Sequence, residues 1–198
     1  MPRASKQLAI ENKKNIEAIT SQLIRDQGFA ISVADLMNAA GLTHGGFYKH
    51  FQNKDELIDI ACQHIFAESL AKWEKIIAES NNNDMALNKI IQSYLAEKNI
   101  ENPAESCPLS SLTIDVAREQ QDKPVKKSFE EGIHSLLSIL SQLGGQGEEQ
   151  EITQQAIVQL SLLSGSLILA RAVNHEFALT ILHSVKSFML KQENELNG

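Results

Sequence analysis

Residues 32–54 read SVADLMNAAGLTHGGFYKHFQNK, and the spacing within this stretch dictates two helices joined by a sharp turn. Ser32 followed three positions later by Asp35 is a capping box, the signature of a helix start. Val33, Leu36, Met37 and Ala40 then fall at i, i+3, i+4 and i+7, which gives a short helix one apolar face. Gly41 ends it as a left-handed residue, Leu42 anchors the turn, and Thr43 is placed to cap a third helix. In that helix Phe47 and Phe51 point inward at i, i+4, turning His44, Gly45, Tyr48 and Lys49 outward. Asn53 and Glu56 form a second capping box, opening a long helix through Leu57, Ile60, Ala61, Ile65, Trp73 and Ile77. Upstream, residues 5–26 carry Ile16, Ile19 and Leu23 on one face and stop at Gly28.

A short supporting helix, a glycine turn and a second helix are the parts of a helix-turn-helix, whose second helix enters a major groove about 12 Å wide. Gly45 and Gly46 are poor helix formers. Packing gives no reason to place them mid-helix, whereas close approach to a partner does. The alternative is a helical ligand-binding or structural protein without DNA binding, with its basic residues as a solvated face. Charge bears on this choice. The chain has a net charge of −7, yet residues 1–54 hold seven basic and four acidic residues, a net of +3. The remaining residues hold eleven basic and twenty-one acidic ones, a net of −10. A cationic head on an anionic body orients a protein on a polyanion.

Beyond the head the apolar spacing stays at three and four. Helices are expected over residues 84–98, from Pro108 with Leu109, Leu112 and Val116 inward, and from Pro124 with Val125, Phe129, Ile133, Leu136, Leu137 and Leu140 inward. Residues 99–106 read as an irregular link and residues 144–147 as a hinge-like loop. Two last helices are expected over 151–173 and 176–193. The fold class is all-α, about nine helices: a three-helix DNA-binding domain over residues 1–54 and a helical body over residues 55–198.

Several classes are not supported. The N-terminus has no apolar signal region, and residues 160–170 are too few to span a bilayer. Cys62 and Cys107 form neither a disulfide framework nor a zinc spacing, which suits a reduced, cytoplasmic setting. His44, His50, His64, His134, His175 and His183 show no metal spacing, so no metal and no cofactor are expected. A glycine-rich phosphate loop, a nucleophile elbow and paired carboxylates are all missing from the sequence, so no enzyme is expected.

The pattern GLTxGxFYxHFxxKxxL, running from Gly41 to Leu57, resembles the DNA-binding domain of the TetR (tetracycline-repressor) family of bacterial regulators. The likeness covers about residues 8–58. It implies a regulator, repressor in type, that binds a palindromic double-stranded operator as a homodimer. Thr43, His44, Gly45, Gly46, Tyr48, Lys49 and His50 would face DNA. Lys54 and Ser32, each at a helix start, would hold phosphates, and Arg3 and Lys6 would add arm contacts. Gly46 stands where many members carry Ser or Thr, which shifts base reading towards His44 and DNA shape.

The resemblance also assigns the body a small-molecule effector and a dimer seam on its last two helices. For the seam the candidates are Gln159, Leu160, Leu163, Ser164, Gly165, Leu167 and Ala170. Periodicity alone reads the same residues equally as an intrachain core helix. For the effector site the candidates are Trp73, Tyr94, Leu112, Phe129, Ile133 and His134, all of which also read as simple core. Cys107 precedes Pro108 and so becomes a helix N-cap, where the helix dipole favours a thiolate. In family members with a cysteine there, the resemblance is to sensors of electrophiles or oxidants. A small, buried, inert cysteine is the competing reading.

Overall fold

Side-chain caps set the helix starts. The Ser32 hydroxyl accepts the Asp35 amide at 3.1 Å and donates to the Asp35 carboxylate at 2.5 Å. Asn53 accepts the Glu56 amide at 2.8 Å. The Glu56 carboxylate accepts the Gln52 amide at 2.6 Å, one residue upstream of the amide that a capping box would use. Pro108 and Pro124 each sit at the first helical position, where a missing N–H costs nothing.

The computed structural model describes residues 2–144 and 153–196, with side chains over 6–144 and 153–190. These residues form α1 (Pro2–Gln27), α2 (Val33–Ala39), a 3-10 helix (His44–Lys49), α3 (Lys54–Ala78) and α4 (Asn83–Tyr94). The one-turn α5 (Lys98–Glu101), a 3-10 turn (Pro103–Glu105), α6 (Pro108–Arg118), α7 (Pro124–Leu143), α8 (Gln154–Arg171) and α9 (His175–Leu196) follow. The fold is all-α, as expected. Three expectations change in detail. The helix expected over 84–98 ends at Tyr94, and a separate turn of helix begins at Lys98. Residues 99–106, read as an irregular link, contain the end of α5 and the 3-10 turn. The third helix of the head is a single 3-10 segment rather than an α-helix. Of the hinge-like loop, Gly144 closes α7 and residues 145–147 lie outside the described residues.

In the head, Ile16 and Ile24 of α1 are fully buried, together with Leu36, Met37 and Phe47. The expected Ile19 and Leu23 flank this stripe at partial exposure. Gly41 adopts φ +70, the left-handed conformation that lets α2 stop and the chain turn. In the body, α7 packs along α3, where the Phe66 and Phe129 rings meet edge to face at 5.4 Å. Gly132 permits this contact, because a Cβ there would lie 2.3 Å from the Phe66 ring. α8 and α9 pair alongside, with Leu163, Leu167, Ala178, Leu182 and Met189 buried.

The helix α3 starts in the head and ends in the body, so the two parts share one rigid element. Two ion pairs reinforce it. Buried Arg25 of α1 reaches Glu68 of α3 at 3.4 Å, and Lys123, just before α7, meets Asp55 at 2.6 Å. Burial lowers the Arg25 pKa, and the Glu68 charge opposes that shift.

Candidate functional site

The turn after α2 presents the His44–Lys49 helix on the surface of the head. Its two aromatic anchors are in the core: Phe47 is 0% and Phe51 3% exposed, with ring centroids 5.5 Å apart. Thr43, His44, Gly45, Tyr48 and Lys49 are exposed, and Gly46 and His50 are half-exposed. Tyr48, at 68% exposure, is braced by the Phe47 ring edge at 5.2 Å. Thr43 begins the helix as expected, but through its backbone: its carbonyl accepts the Gly46 amide at 2.8 Å, and its side chain makes no capping bond.

The two glycines need neither a special backbone nor space inside the protein. Neither has a positive φ. A Cβ on Gly45 would meet nothing within 4 Å, and one on Gly46 would touch the Met37 methyl at an ordinary 3.5 Å. What they leave open is the outer surface of the helix.

The expected phosphate ligands are less free. Lys54 Nζ donates to the Phe29 carbonyl, pinning the start of α3 to the turn before α2 and using one of its three donors. The Ser32 hydroxyl is engaged in the cap of α2. Lys6 is exposed on α1, and the Arg3 side chain lies outside the described residues.

The body holds a cavity of about 280 Å³, walled by Ser69, Lys72, Trp73 and Ile76 of α3, Tyr94 of α4, and Leu136 and Leu167 of α7 and α8. Ser93, Lys98, Asn99, Asn102, Glu105, Ser106 and Cys107 complete it. Trp73, Tyr94 and Cys107 thus meet as expected. Leu112, Phe129, Ile133 and His134 do not line it. Leu112 is in the core, Phe129 is held against Phe66, Ile133 packs against the core, and His134 lies on the exposed side of α7. The three-and-four apolar spacing found the inward face of α7 but not the segment that closes the cavity. The missed residues come mainly from 98–106, whose polar, non-periodic composition gives no helical face to read.

Arg171, at the end of α8, organises that segment. Its guanidinium donates to the carbonyls of Asn99 at 2.7 Å and Ser110 at 3.0 Å, and to the hydroxyls of Ser106 at 2.5 Å and Ser110 at 3.2 Å. The Tyr94 hydroxyl is buried without an oxygen or nitrogen partner and faces the Cys107 thiol.

Cys107 is the N-cap of α6. Burial pushes its pKa up. The Tyr94 hydroxyl, the Leu109 and Ser110 amides and the Arg171 charge pull it down, and burial prevails. The expected helix-terminus effect is present and loses to desolvation. Cys62, fully buried in α3, is pushed up to about 12. Alkylation by iodoacetamide should therefore be slow at neutral pH at both thiols, since only the thiolate attacks. For Cys107, measured on Cys62→Ser, the rate should climb with pH to a midpoint above the ordinary thiol value of about 8.5. A midpoint below that value would restore an activated cysteine.

Five of the seven expected dimer-seam residues face inward. Gln159, Leu160, Leu163, Leu167 and Ala170 are buried inside the protomer, and Ser164 and Gly165 are half-exposed. The outer stripe of α8 is instead Ile157, Val158, Ser161, Gly165 and Leu169, with Leu169 59% exposed. It continues on α9 as Phe177, Ile181, Ser184 and Phe188, with Phe177 53% and Phe188 51% exposed. α8 is apolar on both faces, so periodicity could not say which face was inward. None of these nine residues is charged. Among the described residues, no helix is long and apolar enough to cross a membrane, and no cluster of three His, Cys, Asp or Glu side chains could hold a metal.

Residues 18–60 match the family model described as bacterial regulatory proteins, tetR family. No curated protein is significantly similar in sequence. Among solved structures, reduced NemR of Escherichia coli is similar with a TM-score of 0.76 at 18% identity, over 90% of this chain and 94% of that one. A TetR-family regulator from Agrobacterium tumefaciens gives 0.75 at 17% identity, over 93% and 98%. One from Legionella pneumophila gives 0.75 at 19%, over 91% and 96%. At these identities the likeness is one of fold, and it extends along both head and body.

Proposed function

We propose that this chain, a member of the TetR family of bacterial regulatory proteins, is a repressor that grips a near-palindromic operator as a two-fold dimer and is released by a small molecule. The observation that carries the reading is the outer face of the His44–Lys49 helix. Phe47 and Phe51 fix it, Tyr48 and Lys49 project from it, and Gly45 and Gly46 leave it bare for no internal reason. A bare, braced surface of this kind suits backbone approach to a groove, with Thr43, His44 and His50 at its margins. The apolar stripe on α8 and α9 suits a second copy of the chain, because an isologous contact covers the same patch twice. The dimer would set its two heads about 34–36 Å apart, one turn of DNA.

The cavity, rather than the Cys107 thiol alone, is favoured as the point of signal entry. Its wall is formed in part by Ser69, Lys72 and Trp73 of α3, the helix that begins at Lys54 beside the head. Lys123 at the start of α7 grips Asp55 at that same end. A ligand that displaces α3 in the cavity would shift the head at its other end.

Tyr48→Ala and Lys54→Ala are expected to weaken operator binding with the dimer intact. If Lys54 neutralises a phosphate, its loss should lower the log–log salt slope by about one unit per site. Gel-shift titrations at several salt concentrations measure both. Unchanged affinity and slope for Lys54→Ala would leave Lys54 only as the pin of the Phe29 carbonyl. Unchanged affinity for Tyr48→Ala would count against the whole face.

A further inference from the structure

The body cavity carries a positive charge that the protein does not neutralise. Lys72 and Lys98 stand at its rim, and Glu105 is the single carboxylate in its wall among the described residues. Behind Asn99 and Ser106, the Arg171 guanidinium is held wholly by carbonyls and hydroxyls, and among the described residues no carboxylate pairs with it. The guanidinium is half-buried, where a charge with no ionic partner is compensated only in part by neutral acceptors. The Tyr94 residue is only 6% exposed, and its hydroxyl finds no oxygen or nitrogen partner in the protein. The Cys107 sulfur that it faces is a weak acceptor, so an oxygen brought from outside would satisfy this donor better.

The opposite part of the wall is apolar. Trp73, Leu136 and Leu167 are all buried there. At about 280 Å³ the cavity lies just under the range of roughly 300–1,000 Å³ that holds drug-sized ligands. That leaves no room for a long acyl chain or a nucleotide, and favours a compact planar ligand.

We propose that this cavity binds a small aromatic carboxylate. Its carboxylate accepts from the Tyr94 hydroxyl and answers the charge of Lys72, Lys98 and Arg171, while its ring lies against Trp73 and Leu136. The assignment rests on the reading of the cavity as the effector site and gives that effector a chemical class. Offset contact between the ring and the indole adds to area burial, which an aliphatic acid of the same charge cannot match.

The test uses the full-length protein and its one tryptophan, Trp73, whose emission reports the cavity directly. Cinnamate is titrated against cinnamamide, its neutral counterpart, and against hexanoate, with calorimetry alongside. Cinnamate should perturb Trp73 emission saturably, and both comparison compounds should bind about tenfold more weakly. Lys98→Met should weaken cinnamate severalfold and leave cinnamamide unchanged, which separates lost recognition from lost folding. Tyr94→Phe, which removes a bond that either oxygen can accept, should weaken cinnamate severalfold as well. Cinnamamide or hexanoate binding as tightly as cinnamate, or calorimetry showing no cinnamate binding, would overturn the proposal. A gel shift of the operator complex separates this claim from the one beneath it. If cinnamate binds selectively yet leaves the operator complex intact, the ligand class stands and the effector reading fails. If cinnamamide matches cinnamate in binding and in operator release, the effector reading stands and the ligand class fails.

Discussion

Phe177→Asp is expected to leave the protomer folded, convert a dimer into monomers, and cut operator affinity by about 10²–10⁴-fold. Phe177 is 53% exposed at the start of α9, so the substitution removes no core contact within one chain. In a two-fold dimer it would place two carboxylates in an uncharged apolar seam, beside Leu169 and Phe188 or their copies. Aromatic anchors at interface centres commonly carry 2 kcal/mol or more each. The loss in DNA binding follows from linkage. Two heads on one dimer make the second half-site contact intramolecular, and that advantage disappears with the dimer. Gly165→Leu is the independent variant, because a Cβ there meets nothing within 4 Å in the protomer. The added side chain therefore starts into open space on the outer face of α8. Sedimentation equilibrium and gel shifts on full and half operators measure both effects. A persistent dimer in both variants, or a monomer that still binds with parental affinity, would refute the seam.

The head was legible in the sequence because its determinants are local. Ser32 with Asp35, Gly41, the Phe47–Phe51 spacing and Asn53 with Glu56 each act within four residues, and each marks the element expected, although Glu56 reaches back to Gln52 rather than to Asn53. The body was less legible because its site is assembled from distant segments. Trp73, Tyr94 and Cys107 were found as aromatic or reactive side chains, but Lys72, Lys98, Asn99 and Arg171 carry no local signature. They meet only when α8 brings Arg171 to residues 99–110. Cys107 shows the same limit in electrostatic form: the N-cap position is readable from Pro108, whereas the burial that overrides it is a tertiary property. α8 shows it in packing. With apolar residues on both sides, Leu160, Leu163 and Leu167 could serve a core or a seam, and their burial against the protomer assigns them to the core.

Phe47→Ala should produce the largest loss in the head, about 3–5 kcal/mol, the usual cost of removing a fully buried aromatic side chain. Phe47 is 0% exposed and touches both Phe51 and Tyr48, so its removal opens a cavity beneath the reading helix. That helix has little else to hold it. It is six residues long, contains two glycines, and its N-cap side chain makes no bond. The loss should therefore fall on the head, while the body keeps its own core around Phe66, Phe129 and Gly132. Operator binding should disappear at temperatures where the body remains folded. Trp73 lies in the body, so its emission follows the body alone, whereas far-ultraviolet circular dichroism follows all helices. In Phe47→Ala the dichroism should begin to fall at a lower temperature than the Trp73 signal, with the two coinciding more closely in the parent. Retained operator affinity in the variant would show that Phe47 does not position the reading face. A single transition lowered equally in both signals would show instead that head and body melt as one unit, with the Arg25–Glu68 and Asp55–Lys123 pairs transmitting the loss.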